Sequence, residues 1–110
     1  MDINRTHYNR CSVVWANGRI DTNTAPDLEK AFKEVINENK ANIVFDMDEV
    51  NFISSRGIWV ILETQKACKR EDGDFVIAQA NEDIKKSLDL AGVQHFVHMY
   101  DDLIEAVGSF

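Results

Sequence analysis

What this sequence lacks narrows its function first. No apolar run approaches the roughly 20 residues that a membrane-spanning helix needs. The opening Met1-Asp2-Ile3-Asn4-Arg5 has no apolar core of the kind a secretory signal carries, so the chain is expected to stay in the cytoplasm. There is no basic excess: 12 Lys and Arg stand against 19 Asp and Glu, a formal net charge of -7. That balance argues against nucleic acid and against an anionic membrane surface as partners, since phosphate binding needs a basic footprint. Cysteine is scarce, and Cys11 and Cys68 lie far apart without metal-type spacing. They read as free thiols packed as small apolar groups in a reducing compartment. His7, His95 and His98 also lack ligand spacing, because positions i and i+3 on a strand point to opposite faces. Asp46 and Asp48 read as a solvated loop rather than a metal pair, so neither a metal nor a cofactor is expected.

What is present is an ordinary globular composition. The 110 residues are 45% hydrophobic and 28% charged, which suits one domain, residues 1–110, with a core of its own. Residues 2–8 and 11–20 have strand character, with Asn17-Gly18 as a turn signal between short extended runs. Thr24 is placed to cap a helix over about 25–38, with Pro26 in its first turn and Asp27 and Glu29 at the positive end of its dipole. Leu28, Ala31, Phe32, Val35 and Ile36 repeat at helical spacing. Ala41 to Phe45 reads as a buried strand, followed by the loop Asp46-Met47-Asp48-Glu49.

The next stretch organises the chain. Val50-Asn51-Phe52-Ile53 runs into Ser54 and Ser55, and then into a helix to about Arg70 with an inner stripe of Ile58, Ile61, Leu62, Gln65 and Cys68. A strand, a short polar loop and a helix start aim unpaired backbone N–H groups at whatever sits on the loop, a place that favours anions. Ser55 at this position is expected to cap the helix in any case. Asp72-Gly73 ends that helix, and Asp74 to Ala78 is the next strand. Asn81 caps a helix with Ile84, Leu88 and Ala91 inward, and Gly92 stops it. His95 to Tyr100 reads as a last extended segment, and Asp101 as the cap of a terminal helix bearing Leu103, Ile104 and Val107. Strands alternating with helices imply the α/β class, with helices covering a sheet that is mixed if the first two strands form a hairpin.

These motifs, taken together, resemble those of STAS domains. Gly18-Arg19-Ile20-Asp21 with Thr24-Ala25 is similar to the family's opening, and Val50-Asn51-Phe52-Ile53 with Gly57-Ile58 to its central motif. Leu88 to Val93 and Asp101 to Ala106 are similar to its two closing motifs. The likeness covers essentially the whole chain and is greatest to the stand-alone bacterial anti-sigma factor antagonists. It implies a STAS-like mixed β-sheet of about four or five strands with about four helices in one compact domain. It also implies a regulatory protein rather than an enzyme. In the family an anti-sigma factor that is also a serine kinase, with a histidine-kinase-like ATPase fold, phosphorylates a serine of the antagonist. The unphosphorylated antagonist binds that kinase and frees a sigma factor, and a PP2C-type phosphatase resets the switch.

Carried onto this sequence, the phosphoacceptor is Ser55, with Ser54 as the alternative. Three positions depart from the family pattern: Ser54 stands in place of aspartate, Arg56 in place of a second Ser or Thr, and Trp59 in place of a small residue. Partner contacts are expected from Asp21, Thr22 and Asn23 on the loop before the first helix, and from Ser54, Arg56, Gly57, Trp59 and Glu63. Trp59 lies one turn beyond Ser55 and shares a face with it and with Glu63 and Lys66, where an exposed tryptophan is a natural interface anchor. Its alternative is to fold onto a neighbouring loop as core. A monomer or weak dimer is expected. The competing reading is a phosphorylation-independent STAS scaffold or docking module in a larger signalling complex. A serine hydrolase has no Gly-x-Ser-x-Gly elbow to support it, and a nucleotide site has no Gly-rich phosphate loop.

Overall fold

Alternation of apolar side chains along the strands decides the architecture. The computed structural model describes residues 1–38 and 40–110. Its strands are β1 (Ile3–His7), β2 (Ser12–Ile20), β3 (Asn42–Ile53), β4 (Asp74–Ala78) and β5 (Met99–Tyr100). Its helices are α1 (Ala25–Asn37), α2 (Ser55–Arg70), α3 (Glu82–Leu90) and α4 (Leu103–Gly108). The five strands form one sheet in the order β1-β2-β3-β4-β5, with β1 antiparallel to β2 and the other pairs parallel. This is the mixed α/β sheet that the motifs implied.

Parallel neighbours in sequence order need a crossover helix each, and crossovers of one hand put those helices on one face. The core follows that rule. Val14, Ile43, Phe45, Phe75 and Ile77 point to one face and pack with Leu28 and Phe32 of α1, Val60 and Ile61 of α2, and Ile84 and Leu88 of α3. Phe32 meets Phe45 and Phe75 edge-on, with ring centroids 5.2 and 5.3 Å away. The alternate residues Val13, Val44, Val76 and Ala78 face the other side, where α4 supplies Leu103, Ala106 and Val107.

Several local expectations are corrected. Asn17-Gly18 is not a turn between strands but part of β2, where the pairing register with β3 shifts on both sides of the pair and Gly18 takes a φ of +84°. Asp46 to Glu49 is not a loop, because β3 runs unbroken for 12 residues. Asp46 is buried, its carboxylate accepting from Gln79 Nε2 at 3.0 Å and from the Asp48 backbone N–H at 3.1 Å. The inner stripe of α2 is turned slightly from the expected one. Gly57, Val60, Ile61, Thr64 and Cys68 are buried, while Ile58, Leu62 and Gln65 are half-buried. His95 sits in a short 3-10 turn, Val93–His95, so only Met99–Tyr100 of that segment is strand. Asp102 caps α4, whereas Asp101 pairs with Lys85. Ala91 is exposed, as is Ile104, and Ala106 takes the inward place on α4.

Both thiols are buried, and burial pushes Cys68 up to about 12, well outside the reactive range. The turn from α2 to β4 depends on Gly73, where a Cβ would lie 2.0 Å from the Ala41 carbonyl oxygen. A backbone atom cannot step aside as a side-chain end can. Gly73→Ala is therefore expected to lose about 3 kcal/mol in urea unfolding. A loss below about 0.5 kcal/mol, within the range of an uninvolved surface change, would contradict this contact.

Candidate functional site

The site is built where β3 ends and α2 begins. Ser54 is extended and caps α2, its hydroxyl accepting from the Gly57 N–H at 3.2 Å. Its own N–H donates to the Ile20 carbonyl at 2.8 Å, which ties the end of β2 to the corner. Ser55 is the first helical residue and is exposed. The expected division of labour is thus corrected: Ser54 takes the capping role, and Ser55 beside it is exposed.

Asp21 follows Ile20 directly, so the hydrogen bond from Ser54 brings its loop beside the serines. The Asp21 carboxylate accepts from the backbone N–H groups of Asn23 (2.9 Å) and Thr24 (3.1 Å). Those backbone donors hold its carboxyl below the usual range. The Thr24 hydroxyl accepts from the Asp21 N–H and donates to the Arg19 carbonyl at 2.7 Å, so it fixes the loop rather than bonding a helix N–H. Thr22 and Asn23 project into solvent.

On α2, Arg56 is exposed and its guanidinium carbon lies 4.1 Å from the centre of the Trp59 ring. Trp59 is 42% exposed and does not fold away as core. It closes one end of a shallow groove of about 210 Å³ between α1 and α2, with Ile36, Thr64 and Ala67 along its length. Glu63 is half-buried, lines the same groove and pairs with Lys66 at 3.9 Å. Gly57 is the one expected contact residue that is buried. A Cβ there would come within 2.6 Å of Ile20 Cγ2 and 2.8 Å of Ile53 Cγ1, so its part is to let α2 sit close to the sheet.

Neither the Arg56–Trp59 contact nor a second cation–π pair was read from the sequence. Arg19 lies 4.0 Å over the ring of Phe52, which is 37% exposed. The two are opposite each other in the β2–β3 register, a pairing that sequence spacing does not reveal.

The model of the STAS domain matches residues 2–106. The chain belongs to the STAS domain family. The anti-sigma F factor antagonist of Paenibacillus polymyxa is 23% identical over 108 residues, covering 97% of this chain and 92% of that protein. A Thermotoga maritima structure described as a candidate anti-sigma factor antagonist superposes with a TM-score of 0.91 at 22% identity, covering 97% of this chain and 92% of the other. The Bacillus cell fate determinant SpoIIAA, solved in its phosphorylated form, superposes with a TM-score of 0.76 at 14% identity and 98% coverage of both chains. Among the described residues of this STAS domain, no helix is long and apolar enough to cross a membrane.

The geometry separates the two serines by stability. Ser54→Ala should cost about 1 kcal/mol in urea unfolding through loss of the cap. Ser55→Ala should stay within about 0.5 kcal/mol. Equal effects would contradict the assignment of the cap to Ser54.

Proposed function

We propose that this STAS domain is an anti-sigma factor antagonist. In its unmodified form it binds an anti-sigma factor that is also a serine kinase of the histidine-kinase-like ATPase type, and sigma factor is released. Phosphate on Ser55 ends that binding, and a PP2C-type phosphatase restores it. The protein acts by association and performs no catalysis of its own.

The observation that carries this reading is the exposed Ser55 at the first position of α2, with the cap already supplied by Ser54. A kinase can reach it without undoing the helix. In the transfer, Ser55 Oγ gains the γ-phosphoryl group of ATP, the bond to the departing ADP breaks and the hydroxyl proton is released. The product adds about -1.5 to -2 charge and three acceptor oxygens. The protein itself tolerates that charge, with a helix-dipole gain of about 0.3–1 kcal/mol. A partner surface fitted to a neutral hydroxyl meets both charge and bulk. A coupling of about 1–3 kcal/mol, 5–150-fold in affinity, suffices for such a switch. The docking face comprises Ser54, Ser55, Arg56, Trp59 and Glu63, with Asp21, Thr22 and Asn23 beside it.

One observation favours a second reading, a docking module that works without phosphorylation. Ser54 and Arg56 occupy positions where the family pattern, as read from the sequence, has aspartate and a hydroxyl residue. The two readings separate in one experiment. The protein is mixed with each histidine-kinase-like ATPase of its source organism and Mg-ATP, phosphate is mapped by mass spectrometry, and Ser55→Ala is the control. Phosphate on Ser55, with the complex lost in parallel, is the expected result. Stable binding without phosphate would support the docking module, and neither binding nor phosphate would overturn the antagonist reading.

A further inference from the structure

The residue after Ser55 is the most unusual feature of the corner. Among the described residues Arg56 has no carboxylate within 4 Å, as is also true of Arg10 and Arg70; what sets it apart from those two is its contact with an aromatic ring. Its guanidinium lies on the exposed Trp59 indole, 4.1 Å from the ring centre. Among the described residues no hydrogen bond or ion pair engages the N–H donors of Arg56, and those are the donors that match the oxygens of a phosphate.

Adjacent residues on a helix do not normally face each other, so Ser55 and Arg56 would ordinarily project about 100° apart. Trp59, however, lies four residues beyond Ser55 and three beyond Arg56, so it neighbours both, and helical side chains lean back toward the N-terminus. The guanidinium thus rests on a side chain that shares the face of Ser55 by its four-residue spacing. The first turn of α2 holds no acidic side chain to compete for it.

From this arrangement we infer that Arg56 is the receptor, within the same chain, for phosphate on Ser55. Phosphorylation draws the guanidinium off Trp59 into a charge-assisted pair and bares the indole. The inference rests on the Ser55 reading above and adds a second output to it. Modification then changes charge at the serine and also dismantles the Arg56–Trp59 platform on the docking face. Cation–π contact at an exposed site is weak beside a charge-assisted pair with a dianion, which sets the direction of the exchange.

The test needs no kinase. Full-length protein carrying phosphoserine at position 55 is made by co-translational incorporation, with and without Arg56→Gln, and compared with the unmodified chain. In a phosphorus NMR titration the second ionisation of the phosphate, near pH 6 when unperturbed, should lie about half a pH unit or more lower with Arg56 than with Gln. Tryptophan emission should change on phosphorylation, and the change should vanish in both Arg56→Gln and Trp59→Phe. All these substitutions are at exposed positions, and circular dichroism verifies that each variant is folded. Equal ionisation with and without Arg56 would overturn the pairing, and a lowered ionisation with unchanged emission would overturn the displacement from Trp59. Because the phosphate is installed directly, either failure leaves the kinase question separate. Failure to find any kinase, in turn, would leave the Arg56 contact standing.

Discussion

Gly57 sets how close the first turn of α2 can come to the sheet. With no Cβ, the backbone passes within reach of Ile20 at the end of β2 and Ile53 at the end of β3. That approach lets the Ser54 N–H bond the Ile20 carbonyl, and the bond in turn places the Asp21 loop beside the serines. A side chain at residue 57 would lever the helix away and separate the two loops. What faces the solvent at Ser55, Arg56 and Trp59 depends on what faces inward at Gly57, Val60 and Ile61.

Chain order does the rest of the placing. Parallel strands added one after another send their crossovers to a single side, so α1, α2 and α3 share the core built on Phe32, Phe45 and Phe75. The far side is left to α4, a helix of six residues that meets a smaller apolar cluster. The serine corner stands at the end of a strand with neighbours on both sides. At that end β4 has already stopped pairing, at Asp46, so the corner's backbone is held through β2, by the Ile20–Ile53 pairing and the Ser54–Ile20 hydrogen bond, while the side chains of Ser55, Arg56 and Trp59 remain outside.

How much of this was legible depended on the range of the forces involved. The spacing of Leu28, Ala31, Phe32 and Val35 disclosed α1 because a helix records its buried face in its own sequence. The phase of α2 was harder to read, since its tightest contacts are made by Gly57 and Thr64, which carry little apolar signal. Asp46 argued for a loop by its own chemistry and was overruled by Gln79, a partner 33 residues away. At the serines, residue type pointed to a cap, but the backbone angles chose Ser54 over Ser55 for it. The stacking of Arg56 on Trp59 follows a helical three-residue spacing and was open to local reasoning. That of Arg19 on Phe52 needed the strand register.

The two margins of the sheet differ in kind from its centre. β5 is only two residues long, and β1 exposes Asn4, Arg5, Thr6 and His7, with Arg5 held by Glu34 and Glu38 across the edge. Neither margin offers the long, flat, apolar ribbon that another polypeptide needs for open-ended backbone pairing. Encounters between copies are therefore steered away from fibrous self-addition.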